Sequence, residues 1–110
     1  GPVRAFQRFM DPGGGFIDRD LYVFVIDTEG LVWVNGGFPE LVGSDASGAR
    51  DSRGRLFVQE MIRLTAEGGE GWVEYEWYNP CTEKIGRKVS YVKRVGRFIV
   101  GVGAYGTVGV

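Results

Sequence analysis

The chain has 110 residues, of which 44% are hydrophobic and 25% charged, and its formal net charge is −1. This length supports one domain with a single core, and a charge near zero excludes recognition of nucleic acid or an acidic membrane surface through the overall field. Histidine is absent and Cys81 is the only cysteine, which excludes imidazole metal sites, the usual general base near neutral pH and any intrachain disulfide.

The first predicted element is a helix over residues 3–10, where apolar side chains recur at helical spacing. Asp11 and Pro12, followed by three glycines, are expected to end it. Because so short a segment is less than an isolated helix needs, the sequence predicts the tail of a longer helix that begins upstream.

Two strands are predicted next. Residues 21–26 form a continuous apolar run rich in β-branched and aromatic side chains, which is typical of a strand buried on both faces near the middle of a sheet. Residues 27–30 have the composition of a hairpin turn with glycine at its end. Residues 31–35 are therefore predicted to return as the second strand.

A long connection and a second helix follow. Residues 38–53 are polar and irregular, which is typical of a functional lid or of a disordered segment. A helix is predicted over residues 55–66, because its apolar residues fall on one amphipathic stripe. We expect Asp51 or Ser52 to cap its start and the glycine pair at 68–69 to end it.

The stretch over residues 71–105 is predicted to be an antiparallel meander of three strands with short connections. Its first strand alternates, so that Val73, Tyr75 and Trp77 share one face. Together these elements predict an α+β domain with a five-stranded antiparallel sheet. The N-terminal helix would cover one face of the sheet, and the loop with the inserted helix would cover the other.

Seven short motifs occur in order between Phe16 and Tyr105. They are Asp20-Leu-Tyr-Val-Phe-Val-Ile26, Pro39-Glu-Leu-Val-Gly43, Asp51-Ser-Arg-Gly54, Glu70-Gly-Trp-Val-Glu-Tyr75, Asn79-Pro80, Lys88-Val-Ser-Tyr-Val92 and Gly101-Val-Gly-Ala-Tyr105. In this order and spacing they resemble a single Cache domain. One position departs from that family, since its second strand commonly ends in His-Pro or His-Gly, whereas this chain has Asn35-Gly36.

The resemblance implies a PAS-like fold and an extracytoplasmic, periplasmic sensor domain of a bacterial chemoreceptor or histidine kinase. It also implies a small-molecule ligand, often a short carboxylate, bound between the sheet and the inserted loop and helix. Residues 1–110 are accordingly interpreted as one sensor domain with a truncated N-terminal helix. No apolar run approaches the ~20 residues of a membrane helix, so we expect any membrane anchor to lie outside this chain.

The residues expected to contact the ligand are Tyr22, Phe24, Asn35, Phe57, Met61, Tyr75, Trp77, Lys88 and Ser90. Lys88 ranks first, because the motif in which the resemblance places it would let its ammonium bind an anionic head group, although the residues alone describe an ordinary solvated lysine. Lys88 and Ser90 share one strand face, so Tyr91 is assigned to the core under the N-terminal helix. Core packing for the tyrosines and a turn-forming role for Asn35 stay open as alternatives.

Two functions remain open on this evidence. The first is a sensor of a small organic acid, and the second is a ligand-free module that dimerises and relays a signal. We expect no enzyme, because no nucleophile and base can be paired, and no cofactor, because the glycines at 101 and 103 are not followed by a helix. No metal site is expected either, and the basic residues within 82–98 are interpreted as a solvated hairpin rather than a nucleic-acid site.

Overall fold

Five strands and one α-helix make up the described part of the chain, which is residues 21–79 and 83–105 of a computed structural model. The strands are β1 Leu21–Asp27, β2 Val32–Asn35, β3 Glu70–Asn79, β4 Lys84–Val95 and β5 Phe98–Tyr105. Helix α1 spans Phe57–Gly68, and a short 3-10 helix over Pro39–Leu41 lies in the connection before it. The predicted order of these elements is confirmed, whereas the helix predicted over residues 3–10 lies outside the described residues.

The sheet is antiparallel throughout and has the order β2-β1-β5-β4-β3. Residues 22–27 of β1 are all buried, so the prediction of a strand covered on both faces is confirmed. Its predicted place near the middle also agrees with the structure, because β1 is an interior strand between the edge strand β2 and the central strand β5. The central strand is the last strand of the meander, which returns to pair with β1.

Two glycines of the central strand let large side chains cross it. A Cβ atom at Gly101 would overlap the ring of Phe24, and one at Gly103 would overlap the Cε atom of Lys88. Side chains from β1 and β4 therefore pass over the backbone of β5 on the face that also carries α1. This arrangement sets the floor of the site described below.

Helix α1 begins and ends by different means. The residue before it, Leu56, has no side-chain capping bond, so the predicted cap by Asp51 or Ser52 is wrong. The carboxylate of Asp51 instead accepts hydrogen bonds from backbone N–H groups of the loop and of β3. The predicted glycine stop is confirmed, because Gly69 has a φ of 80° and donates its N–H to the carbonyl oxygen of Thr65.

The core lies between α1 and one face of the sheet, where Phe57, Val58 and Met61 are buried against apolar side chains of all five strands. Arg94 of β4 ties the helix to the sheet by donating to the carbonyl oxygen of Ile62 at 2.9 Å. On the opposite face, Tyr91 is half-buried and its ring lies 5.1 Å from that of Trp72. Tyr91 thus points away from Lys88, as parity predicts.

Candidate functional site

A cavity of about 60 Å³ lies between the sheet and the covering loop and helix. All the predicted ligand residues except Ser90 line it, namely Tyr22, Phe24, Asn35, Phe57, Met61, Tyr75, Trp77 and Lys88. Six further residues line the cavity that were not among the predicted ligand residues, namely Ile26, Val32, Leu41, Ala46, Ala49 and Val58. Ile26 could have been predicted to line the cavity, because strand parity puts it on the same face as Tyr22 and Phe24. The loop residues show no hydrophobic periodicity from which their place in the cavity could have been predicted.

Lys88 is the only charged side chain of this lining and lies in the middle of β4 with 2% of its surface exposed. Its Nζ atom donates a hydrogen bond of 2.6 Å to the hydroxyl oxygen of Tyr22. The same atom lies 4.0 Å from the centre of the Tyr22 ring and 5.5 Å from that of Tyr75. Lys88 forms no ion pair with any carboxylate of residues 21–79 and 83–105.

Burial controls the protonation of these groups. Loss of hydration in the cavity lowers the pKa of Lys88 to about 7, because the ammonium form is the one that burial disfavours. Burial also raises the pKa of Tyr22, with smaller contributions from Tyr105 and Tyr75, and it raises the pKa of Tyr75. At neutral pH the site therefore contains neutral phenols beside a lysine that can gain or lose its proton.

Tyr75 is held from two sides. Its ring stacks on that of Phe57 at a centroid distance of 4.4 Å and an interplanar angle of 5°. Its hydroxyl lies 2.9 Å from the Oγ atom of Ser90, which is fully buried. Ser90 thus contacts the tyrosine that lines the cavity and not the cavity itself. In the register of β3 and β4, Tyr75 is paired with Lys88, and Ser90 lies two residues further along β4.

Asn35 lines the cavity and also shapes the turn that follows β2. Its Oδ1 atom accepts hydrogen bonds from the backbone N–H groups of Gly37 at 3.1 Å and Phe38 at 2.7 Å. This turn places the ring of Phe38 edge-on to those of Tyr22 and Trp77. The turn-forming role considered for Asn35 is therefore present in the structure, and it positions one end of the covering loop.

Groups that would indicate other kinds of site are missing from the described ranges. Among residues 21–79 and 83–105, no three His, Cys, Asp or Glu side chains converge as metal ligands would. In the same ranges, no helix is long and apolar enough to cross a membrane.

Two proteins of known type resemble this chain in sequence. The chain is 29% identical over 90 residues to the methyl-accepting chemotaxis protein McpP of Pseudomonas putida, covering 80% of this chain and 16% of that protein. It is 30% identical over 105 residues to the sensor histidine kinase MctS of Rhizobium johnstonii, covering 94% of this chain and 22% of that protein. The chain thus spans less than a quarter of the length of either protein.

Solved structures show the same fold. A periplasmic sensor domain of a chemotaxis protein has 31% identity and a TM-score of 0.77, with 96% of this chain and 70% of that chain covered. A Cache chemosensory domain studied for carboxylic acid recognition has 26% identity and a TM-score of 0.84, with 96% and 71% covered.

These similarities agree with a match of the family model for single Cache domain 2, which covers residues 7–107. The family predicted from the seven motifs is therefore confirmed, as is its PAS-like α+β fold. The chain belongs to the single Cache domain 2 family, the extracytoplasmic ligand-binding sensor domains of chemoreceptors and histidine kinases.

Proposed function

We propose that the cavity binds a short monocarboxylate and that the domain senses this acid for a larger signalling protein. The observation that carries the proposal is the buried Lys88, which has no carboxylate partner among the described residues. A buried lysine without a carboxylate partner is costly to keep charged, so a site that contains one is suited to an anion that enters from outside. The role is one of binding and not of catalysis.

The size and lining of the cavity limit the ligand. Its volume of about 60 Å³ is several times the ~10–15 Å³ that a cavity needs to hold one water molecule, which suits a small ligand. One lysine can pair with one carboxylate, and the surrounding walls of Ile26, Val32 and Met61 are apolar. These properties favour a monocarboxylate with a short alkyl tail over a dicarboxylate, whose second charge would be buried without a partner.

The polar groups suggest how such a ligand is oriented. Its carboxylate would accept hydrogen bonds from Lys88 and from the phenolic hydroxyl of Tyr22, and Tyr75 would bound the same end of the cavity. The tail would point toward α1. The similarity to a Cache domain studied for carboxylic acid recognition supports this choice of ligand class.

The domain boundaries and the path of the signal are also proposals. Residues 1–110 would form one sensor unit whose N-terminal helix continues upstream toward a membrane anchor. Closure of the loop over residues 38–56 on the ligand would move that helix, and pairing of two copies would pass the movement on. The rival proposal, a ligand-free relay module, differs by requiring no response to any small molecule.

Thermal unfolding with acetate, propionate or butyrate tests the proposed function, with propionamide as a neutral analogue and succinate as a dicarboxylate. At a ligand concentration of one hundred times Kd, binding adds about 2.7 kcal/mol, which raises the Tm of a domain of this size by about 10 °C. We expect this shift from a monocarboxylate and not from propionamide or succinate. Lys88→Met should abolish it, because the substitution removes the charge and retains the apolar stem.

Lys93→Met is the matched control, since Lys93 lies on the same strand with 62% of its side chain exposed. This variant should respond to acids as the unchanged protein does. An equal shift in Lys88→Met would show that Lys88 does not bind the acid. No shift from any acid in the unchanged protein would favour the relay module.

A further inference from the structure

We infer that the cavity takes up its carboxylate together with one proton, so that the domain binds the equivalent of an undissociated acid. This inference rests on the carboxylate-binding function proposed above and adds the proton as a second ligand of the same site. It follows from which ionisable side chains the surrounding strands, loop and helix place near Lys88.

No described element that packs around Lys88 presents a carboxylate to it. The titratable groups near its Nζ atom are the phenols of Tyr22 on β1, Tyr75 on β3 and Tyr105 on β5, with ring centres at 4.0, 5.5 and 5.9 Å. Strand β2, the loop and helix α1 contribute only uncharged side chains to the cavity. Among residues 21–79 and 83–105, the site therefore has one group that can become positive and none that is negative at neutral pH.

The empty cavity consequently favours the neutral amine. Burial lowers the pKa of Lys88 to about 7, and it raises the pKa of Tyr22, so the phenol beside the lysine supplies no balancing anion. The neutral amine can keep the hydrogen bond that joins Nζ to the Tyr22 hydroxyl. The free site then carries no net charge.

A bound carboxylate makes the protonated form of Lys88 the favoured one. The anion enters, a proton from the buffer adds to the amine, and the product is an ammonium paired with a carboxylate; no covalent bond to the ligand forms or breaks. The attraction between the two charges raises the pKa of Lys88 in the complex. Because one negative and one positive charge enter together, the apolar walls surround a pair with no net charge.

The direction of the pH dependence follows. Below about pH 7 Lys88 already carries its proton, so the anion binds alone and its affinity is nearly independent of pH until the ligand itself is protonated. Above about pH 7 each bound acid requires a proton from solution. Affinity should then fall by up to about tenfold for each unit of rising pH.

Isothermal titration calorimetry with propionate measures the proton directly. The titration is run in pairs of buffers with low and high ionisation enthalpies, and the dependence of the observed heat on that enthalpy gives the protons taken up for each ligand bound. With a Lys88 pKa of about 7, we expect about 0.9 proton at pH 8 and about 0.1 at pH 6. Lys93→Met should give the same values.

A second measurement follows Lys88 itself by NMR, from the Cε and Hε resonances assigned by comparison with Lys88→Met. We expect a titration midpoint near pH 7 in the free protein and one at least two units higher with saturating propionate. Propionate binding without proton uptake at pH 8, or a free midpoint near the ordinary 10.5, would overturn the inference and leave carboxylate binding intact. Failure of propionate and its homologues to bind at all would overturn both.

Discussion

The position of the Lys88 ammonium depends on a glycine, Gly103. The hydroxyl that it reaches belongs to Tyr22 on β1, and the central strand β5 lies between β1 and β4. Gly103 is paired with both Tyr22 and Ser90, directly beneath the path of the lysine stem. Because a Cβ atom there would overlap Lys88, the glycine permits the lysine to lie flat across the sheet.

Gly103→Ala should therefore displace the ammonium from Tyr22. We expect the affinity for propionate to fall by at least about tenfold, equivalent to about 1.4 kcal/mol, as measured by calorimetry at pH 6.5. Gly86→Ala is the matched control, since a Cβ at Gly86 would meet only the ring of Tyr105 at an ordinary 3.7 Å. Unchanged affinity in folded Gly103→Ala protein would show that the crossing of β5 does not position Lys88 for the ligand.

The amino-acid composition could not predict that Lys88 is buried. Lysine is rarely buried, and this one stands among other basic residues of a long hairpin, so residue type alone favours a solvated side chain. Only the motif that resembles a Cache domain singled it out. Parity did assign Lys88 and Ser90 to one face and Tyr91 to the other, because the side-chain period of a strand is two.

At the scale of elements, one carboxylate fastens the covering loop to the sheet. Asp51 is buried and accepts hydrogen bonds from the backbone N–H groups of Arg55 at 2.8 Å, Arg53 at 3.0 Å and Glu76 at 3.2 Å. Glu76 belongs to the edge strand β3, which has a neighbouring strand on one side only. Burial acts to raise the pKa of Asp51, but these hydrogen bonds outweigh it and leave the pKa below its usual value.

Asp51→Asn should loosen this attachment, because an amide NH₂ cannot accept the N–H that the second carboxylate oxygen accepts. We expect a loss of about 1–3 kcal/mol in the free energy of unfolding, measured by urea denaturation at pH 7. The loss should vanish as the pH falls through the lowered pKa of Asp51, since protonation removes the same acceptor in the unchanged protein.

The control for this variant is Asp45→Asn, at an exposed position where the carboxylate accepts a hydrogen bond from the backbone N–H of Ser47 and none from another strand in the described residues. It should change stability by less than about 0.5 kcal/mol. Equal effects of the two substitutions would show that Asp51 contributes no more than an ordinary loop aspartate.

Hydrophobic periodicity predicted the strands and the inserted helix in their correct order, because each buries one face or both. The capping prediction, which rested on residue type, failed at the start of α1, where the Asp51 carboxylate accepts hydrogen bonds from the loop and the edge strand instead. Hydrophobic periodicity also did not determine which strand lies at the centre of the sheet. Whether β1 or β5 is central depends on which strands pair, and the composition of a strand does not determine that.

For the molecule as a whole, the fold gathers polar groups that are far apart in the chain. Tyr22, Tyr75 and Lys88 come from three strands, and the hydrogen bond between Lys88 and Tyr22 spans 66 residues of sequence. Strand parity predicts which face each side chain takes, but only the strand order brings all three to one cavity. The loop and α1 then cover that cavity with apolar side chains.

The most direct test of the proposed carboxylate site is a crystal structure of this domain with propionate. We predict electron density for one propionate in the cavity, with a carboxylate oxygen about 2.7–3.0 Å from the Nζ atom of Lys88 and the alkyl tail directed toward Met61. A structure in which Lys88 remains bonded to Tyr22 and propionate lies elsewhere, or is absent at saturating concentration, would contradict it.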